Sequence, residues 1–552
     1  MYKFNEYSVK KTLLNIAALS LSLSFLLLAS CGGGQIAGLV ENKSDKSYAR
    51  SNKREMAKMM EMDSAAAIIA KDDVADEITI QHNTEEYDLI KENEFKGVKD
   101  NPLSTFSIDV DTASYSNVRR FINGNQLPPR DAVRIEEMIN YFKYSYPQPE
   151  GEHPFSISIE ISEAPWNKEN RLLLIGIQGK SLNYEDLKPC NFVFLVDSSG
   201  SMESPEKLPL LKKSLALMLK GLKKNDRIAV VAYAGSAGVV LPSTPATQKD
   251  KILGAFEKLT AGGSTAGGEG IILAYKIAKE NLIKDGNNRV ILCTDGDFNV
   301  GASSTSEMVR LIEEKRKDDI YLTICGFGMG NYKDGRMEQI SNAGNGNYFY
   351  IDNIKESEKV FVREMRANMF TIAKDVKIQI EFNPLKVKSY RLIGYENRVM
   401  AKEDFDNDKK DAGELGAGHT VTALYEIVPA SSDNGSDNSI PLRYQESKIK
   451  KETASNNEIM VLKMRYKPIK EDRSKLIEKT VIDENIKFAK TSENLRFASA
   501  VAGFGMLLRD SKFKNDLTAK DVIRIAKGAM NRDEEGYRAE FVGLVEKYVL
   551  LK

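Results

Sequence analysis

The chain has 552 residues, and its 79 basic and 79 acidic side chains give a formal net charge of zero. This length exceeds what one hydrophobic core supports and predicts about three or four folded units. The balance of charge excludes a general nucleic-acid-binding protein, which would carry an excess of basic residues. Four cysteines are too few for a disulfide framework in so long a chain, and three histidines leave little material for a zinc site.

Residues 1–30 have the pattern of a secretory signal peptide. Three lysines precede an apolar run over 13–29, which is too short and too polar for a comfortable membrane span. The run ends in Leu-Ala-Ser-Cys-Gly and resembles the lipobox of bacterial lipoproteins. This resemblance implies cleavage before Cys31, a lipid on its thiol and anchoring to a membrane of the cell envelope. An uncleaved anchor with an incidental cysteine is the alternative.

Two further features concern the mature N-terminus. Position 32 is a glycine and not the aspartate that favours inner-membrane retention in many Gram-negative lipoproteins. The outer membrane is therefore expected, with the protein on its periplasmic side or on the cell surface.

Residues 31–101 are predicted to be a disordered tether, because they are polar, charged and poor in aromatic side chains. Four methionines between Met56 and Met62 could bind copper(I), but a short fluctuating helix explains them better.

Residues 102–186 are predicted to form a flanking region of helices followed by strands. Asp109 and Asp111 lack the further ligands that a calcium loop needs, so a capping or turn role is predicted for them. The expected elements are a strand from 103, a helix over 113–122, a second helix opening at Pro128 and Pro129, and half-buried antiparallel strands over 155–161 and 171–177.

Residues 187–373 have the pattern of a doubly wound α/β domain. Strands that are apolar on both faces alternate with amphipathic helices, which is typical of a parallel sheet covered on both sides. The expected strands cover 192–196, 227–234, 289–293, 320–326 and 348–351, with a short edge near 239–241. The expected helices cover 207–222, 249–259, 269–283, 306–317, 336–343 and 355–372.

The remaining chain is divided into a β-rich flanking region over 374–470 and a helical region over 471–552. The pattern turns helical from about Lys475, and the apolar run over 497–508 predicts a buried helix. The simplest topology inserts the α/β domain into one β unit, in which strands within 155–177 pair with later strands. Period-two alternation predicts these later strands over 376–382, 387–393, 421–428 and 459–466.

Three polar loops follow strands of the α/β domain. The first is Asp-Ser-Ser-Gly-Ser over 197–201, the second is Gly-rich over 262–268, and the third is Thr-Asp-Gly over 294–296. In an open α/β sheet, ligands bind beyond the carboxyl ends of the strands. The first loop alone also fits a capped turn, whereas the three loops together indicate a binding site.

The three loops resemble the metal-ion-dependent adhesion site of von Willebrand factor type A (VWA) domains. In this chain the matching residues are Asp197, Ser199, Ser201, Thr265 and Asp295. The segments over 103–144, 375–426 and 497–510 also resemble the flanking regions of a bacterial VWA-domain lipoprotein family. The resemblance implies a Rossmann-like fold and a site for magnesium, with manganese or calcium as substitutes, that captures a Glu or Asp carboxylate of a partner protein. Hydroxyl and carboxylate oxygens suit magnesium, and the absence of cysteine and histidine ligands argues against zinc.

Two other functions compete with this interpretation. A metal-dependent hydrolase would need a base; Asp297 and Glu269 are nearby in sequence but fit surface or capping roles, and His419 belongs to another unit. The sequence has no Gly-x-Ser-x-Gly elbow or P-loop, and its glycine-rich 326–330 segment is no dinucleotide fingerprint. We therefore expect neither enzymatic activity nor a bound nucleotide. The other alternative is a structural scaffold whose metal site is capped from within the chain.

Overall fold

The computed structural model describes residues 84–108, 111–183, 185–264, 267–296, 298, 305–432 and 457–552. The predicted signal peptide, the predicted lipid acceptor Cys31 and the predicted tether up to residue 83 lie outside the described residues. The same holds for Asp109, Thr265 and Asp297. Among the residues that are described, no helix has both the length and the apolar character needed to cross a bilayer.

The secondary structure combines strands and helices throughout the described chain. The strands are β1 Lys96–Gly97, β2 Leu103–Ser107, β3 Phe155–Ala164, β4 Asn167–Gly179, β5 Cys190–Asp197, β6 Arg227–Tyr233, β7 Ala237–Pro245, β8 Asn287–Thr294, β9 Ile320–Phe327, β10 Tyr348–Ile351, β11 Thr371–Phe382, β12 Val387–Ile393, β13 Gly413–Gly416, β14 Thr420–Pro429, β15 Glu458–Pro468 and β16 Lys475–Ile482. The α-helices are α1 Ala113–Asn123, α2 Ile135–Asn140, α3 Leu208–Met218, α4 Lys249–Glu257, α5 Gly267–Glu280, α6 Thr305–Arg316, α7 Asp334–Ala343, α8 Ile354–Glu358, α9 Met365–Met369, α10 Glu493–Arg509, α11 Ala519–Lys527 and α12 Tyr537–Leu551.

The central sheet has the strand order β10-β9-β8-β5-β6-β7. All neighbouring strands are parallel except the edge strand β7, which is antiparallel to β6. Successive side chains of β5 enter two different cores, with Phe192 and Phe194 on one face and Val193 and Leu195 on the other. Helices cover both faces, so the doubly wound α/β fold predicted from the apolar strands is confirmed.

The flanking segments form a β-sandwich with a helical layer on one side. The first sheet has the order β1-β12-β14-β4-β3, and the second has β13-β11-β15-β16, with β2 also paired to β11. The inner faces of the two sheets share one core, and α10, α11 and α12 pack with α2 in another. Segments before and after the α/β domain are therefore interleaved, because β4 pairs with β14 and β2 pairs with β11.

Buried ion pairs connect the N-terminal flanking region to the α/β domain. The Arg119 side chain is 1% exposed and donates hydrogen bonds to Asp352 at 2.8 Å and to Glu356 at 2.7 Å. The backbone N–H of Tyr348, at the start of β10, donates to the Asp111 carboxylate at 2.8 Å. Asp111 therefore links two distant segments, a contact that the predicted capping or turn role did not include.

The structure differs from the sequence interpretation in the elements at three segment boundaries. The segment over 475–482, expected to be helical, is a strand that pairs with β15. The helix expected over 355–372 is broken by a π-helical turn at Lys359–Arg363, where the Glu364 N–H donates to the Lys359 carbonyl. The two prolines at 128–129 precede a short 3-10 turn at Arg130–Ala132, and the α-helix begins only at Ile135.

The end of the predicted tether also belongs to the folded body. The Arg120 guanidinium holds Glu85 at 2.7 Å, and the Ile90 N–H donates to Asp131 at 2.9 Å. β1 then pairs with β12. The residues from Thr84 onward are therefore packed against the protein, which the polar composition of this segment did not indicate.

Candidate functional site

The first polar loop begins where β5 ends, at the carboxyl edge of the parallel sheet. The Asp197 carboxylate is fully buried and accepts a hydrogen bond from the Ser199 N–H at 2.9 Å. Its other oxygen accepts bonds from the Tyr233 and Thr294 hydroxyls, each at 3.2 Å. These donors come from β6 and β8, the strands on either side of β5, so the sheet itself orients Asp197.

The serines at positions 199 and 201 follow Asp197 in this loop. Ser199 Oγ and Ser201 Oγ are 3.0 Å apart; Ser199 is buried and Ser201 is exposed. Adjacent oxygens of an octahedron with magnesium-length bonds lie about 2.9 Å apart. The two hydroxyls are hydrogen-bonded to each other, and the same spacing fits neighbouring ligands of one small cation.

The other two loops meet the first one. The Gly200 N–H donates to the Gly263 carbonyl at 3.1 Å, and the Gly262 N–H donates to the Ser198 carbonyl at 2.8 Å. These bonds hold the glycine-rich loop against the first loop, and Gly263 has a φ of +81°, which favours glycine. Thr265, two residues further, lies outside the described residues. Asp295 follows β8 and is fully buried.

The electrostatics of the site are dominated by its two buried aspartates. Burial raises the pKa of the Asp197 carboxyl to about 6; the Ser199 hydrogen bonds oppose this shift and the charge of Asp295 adds to it. A buried carboxylate pair is costly unless a cation compensates it. In the described part of the chain, no three acidic, histidine or cysteine side chains converge as a metal site would require, so the hydroxyls must complete any cation site here.

A lysine that the sequence interpretation did not include enters this site. Lys207 Nζ donates to Asp295 Oδ2 at 2.9 Å, and the two side chains are 8% and 0% exposed. The Lys207 methylene groups pack across Gly328, where a Cβ would lie 2.3 Å from Lys207 Cγ and Cε. Gly328 also has a φ of +71°, so only glycine suits this position. The glycine-rich 326–330 segment thus makes room for Lys207.

The loop after Asp295 is held by the segment before α7. Gly296 has a φ of +104°, and a Cβ there would lie 2.6 Å from Tyr332 Cα. The Thr84 N–H donates to the Gly330 carbonyl at 2.7 Å, and the Glu86 N–H donates to the Tyr332 carbonyl at 2.9 Å. The first described residues therefore support the loop that packs against the candidate site.

Of the groups considered as catalytic bases, Glu269 is exposed and Asp297 lies outside the described residues. His419 belongs to the β-sandwich, where its carbonyl accepts the Gly179 N–H at 2.8 Å. Its Nδ1 is buried without a hydrogen-bond partner among the described residues, and burial lowers the pKa of the imidazole to about 4. His419 is therefore a structural residue away from the candidate site.

This lowered pKa predicts a loss of stability in acid. The unfolded chain binds a proton at His419 near pH 6.5 and the folded chain only near pH 4, so the contribution of His419 is complete above pH 6.5 and declines below it. We expect the wild type to lose about 2 kcal/mol more than His419→Gln between pH 7.5 and 4.5, since one pKa unit corresponds to about 1.4 kcal/mol. Urea unfolding of both proteins at the two pH values measures this difference. Equal losses would show that His419 is protonated as readily in the fold as in the unfolded chain.

Family models match three parts of the chain. The model described as von Willebrand factor type A domain matches residues 191–363. One described as von Willebrand factor matches 81–174, and one described as the C-terminal part of the uncharacterized protein YfbK matches 367–551. The domain model therefore covers the sheet and the three loops of the candidate site.

Individual proteins are similar over different lengths. YfbK of Escherichia coli K12 is 43% identical over 472 residues, which cover 84% of this chain and 81% of YfbK. The uncharacterized protein sll0103 of Synechocystis is 27% identical over 192 residues, which cover 35% of this chain and 44% of that protein. Among solved structures, a von Willebrand factor type A protein from Catenulispora acidiphila aligns with 71% of this chain and 90% of its own, at 15% identity and a TM-score of 0.41. The long match at 43% identity establishes that the chain belongs to the YfbK family of bacterial proteins with a VWA domain.

Proposed function

We propose that this protein is a lipid-anchored binding protein of the bacterial cell envelope that captures an acidic partner protein at a magnesium-dependent site. Asp197, Ser199, Ser201, Thr265 and Asp295 would hold the ion, which supplies an open coordination position for a partner's carboxylate. The observation that carries the proposal is the pair of serine hydroxyls, 3.0 Å apart, at the carboxyl edge of the sheet. Membrane attachment through Cys31 rests on the sequence pattern alone.

The charge of the site supports a carboxylate as the ligand. Asp197 and Asp295 carry two negative charges when ionised. Lys207, which contacts Asp295, contributes one positive charge. A divalent cation would therefore leave this group of side chains with a net charge of +1. Asp197, Ser199 and Asp295 are buried whereas Ser201 is exposed, so a ligand would approach from the Ser201 side.

The test of this function is a comparison of acidic peptides with their amides. A peptide array in which every Glu and Asp peptide has its Gln and Asn counterpart is probed with the protein in magnesium and in EDTA. We expect binding of carboxylate peptides in magnesium only, because an amide oxygen is a weak substitute for a charged ligand. Binding that survives chelation, or equal binding of the amide peptides, would contradict the proposal.

A structural scaffold is the second candidate function, and the Lys207–Asp295 ion pair favours it. In this case the lysine ammonium is the permanent cation of the site, and no divalent ion binds. Calorimetry distinguishes the two: heat on addition of magnesium supports the binding protein, and its absence supports the scaffold. Hydrolysis of ester, phosphate or peptide substrates that requires magnesium would overturn both and indicate an enzyme.

A further inference from the structure

A polar cavity of about 300 Å³ lies at the opposite end of the parallel sheet from the candidate metal site. Its walls are the loop between α7 and β10, the segment over 397–400 and the strand region over 410–416. The end of β2, Asn368 of α9 and Thr371 at the start of β11 complete it. The cavity thus lies where the α/β domain meets the β-sandwich, a common location for ligand sites.

The lining of the cavity is rich in side-chain amides. Arg398, which also lines it, is paired with Asp111 and with Glu338, each at 3.3 Å, and Asp411 is paired with Arg316 at 2.7 Å. Arg398 and Asp411 are therefore already neutralised by ion pairs within the protein. Neither offers an unpaired charge to a charged ligand in the cavity. The asparagines that line it are Asn342, Asn345, Asn347, Asn368 and Asn397.

One of these amides has an unmet hydrogen-bonding requirement. Asn368 is 3% exposed, and its Nδ2 donates to the Val360 carbonyl at 3.0 Å. Its Oδ1 is buried without a partner among the described residues. A buried acceptor that has lost its hydration and has no donor destabilises the folded state. Asn368 lines the cavity, and a donor in the cavity that reached this oxygen would satisfy it.

Two neighbouring groups add hydrogen-bonding capacity. Asn347 is 9% exposed, and no hydrogen bond from its side chain occurs within the described parts of the chain. Glu414 accepts bonds from Asn345 Nδ2 and Thr371 Oγ1, each at 2.8 Å, and burial raises the pKa of its carboxyl to about 7. At neutral pH this carboxyl is partly protonated, so it is able to donate as well as accept.

We propose that this cavity binds a neutral, hydroxyl-rich ligand of the size of one sugar residue. Hydroxyl groups both donate and accept, as amides do, and a sugar hydroxyl would satisfy Asn368 Oδ1. The volume is at the lower end of that of ligand pockets, about 300 to 1,000 Å³, which limits the occupant to one ring. The site is separate from the magnesium site and does not depend on it.

The test is saturation-transfer NMR and calorimetry on the whole protein in EDTA. The probes are the neutral sugars glucose, galactose and N-acetylglucosamine, with glucosamine and glucuronate as charged counterparts. We expect at least one neutral sugar to bind, with a tenfold or greater loss of affinity in Asn347→Ala and in Asn368→Leu. Asn281→Ala, at the end of α5 outside the cavity, is the matched control and should bind as the wild type does.

Each other outcome has a defined meaning. Absence of binding by every neutral sugar overturns the proposal and leaves ordered water as the partner of Asn368. Preference for a charged sugar, or equal affinity in the cavity variants, also overturns it. If Asn368→Leu unfolds because the Val360 contact is lost, Asn347→Ala decides alone. Sugar binding should persist in Asp197→Ala, so failure here and failure of the magnesium site are distinguishable.

Discussion

Replacing Lys207 with methionine is expected to raise the affinity for magnesium by at least tenfold. The Lys207 ammonium lies 2.9 Å from Asp295 Oδ2, so a cation that shares this carboxylate is repelled by it. Two unit charges 5 Å apart interact by about 3 kcal/mol at an effective dielectric constant of 20, and a tenfold change in affinity corresponds to about 1.4 kcal/mol. Methionine keeps an unbranched chain against Gly328 while it removes the charge. Calorimetric titration of both proteins with magnesium measures the effect.

The same substitution should make the stability of the protein depend more strongly on the ion. Without Lys207 the buried Asp295 carboxylate loses its counter-ion, which typically costs about 3 to 5 kcal/mol. We expect a lower melting temperature in EDTA and a larger increase on addition of magnesium than in the wild type. Lys212→Met is the matched control, because this lysine lies in α3, which directly follows Lys207, and its ammonium donates to the Glu257 carbonyl. Unchanged or weaker magnesium affinity in Lys207→Met would show that the lysine does not compete with the ion.

Replacing Asp197 with alanine is expected to reduce magnesium affinity by at least a hundredfold, which corresponds to about 2.7 kcal/mol. Asp197 supplies one of the two carboxylates of the site, and it also accepts the Ser199 N–H that shapes the hydroxyl loop. The fold should survive. Burial raises the pKa of Asp197 to about 6, which means that its ionised carboxylate destabilises the folded state. Calorimetry measures the lost affinity, and far-UV circular dichroism checks the fold.

Binding of carboxylate peptides should be lost in parallel with magnesium in the Asp197→Ala protein. Asp250→Ala, in the first turn of α4, is a control that removes an exposed acidic residue of the same domain. If Asp197→Ala binds magnesium normally, the assignment of the five loop residues is wrong. If it loses magnesium but still binds the peptides, the carboxylate is recognised elsewhere.

The order of elements in the α/β domain was predictable because the strands are apolar on both faces. Phe192 to Val196 and Val290 to Cys293 are continuous apolar runs, and such runs occur where helices cover both sides of a sheet. The period of two likewise revealed β12 and β14. These patterns are local, since each residue's environment depends on the face of its own strand or helix.

Other elements could not be predicted from the sequence pattern, because the segments they pair with are distant in sequence. β16 alternates weakly, since most of its side chains are exposed, and only pairing with β15 makes it a strand. The break after α8 differs from this, because the ion pair across the π-helical turn joins Lys359 and Glu364, which are close in sequence. The division of the β unit into two sheets also required long-range pairing, which periodicity does not specify.

The candidate site also has residues that the sequence indicated and one residue that only the packed fold brings to it. The aspartates and serines follow strands directly, so their places at the carboxyl edge of the sheet depended only on strand order and on the resemblance of the three loops to a known pattern. Lys207 was not predictable, because its meeting with Asp295 requires the space above Gly328, a residue on a different strand-end loop. The asparagine-lined cavity likewise exists only where the sandwich packs on the sheet. Local sequence order places the candidate oxygen ligands at the edge of the sheet. Only the packed fold determines that Lys207 lies beside Asp295.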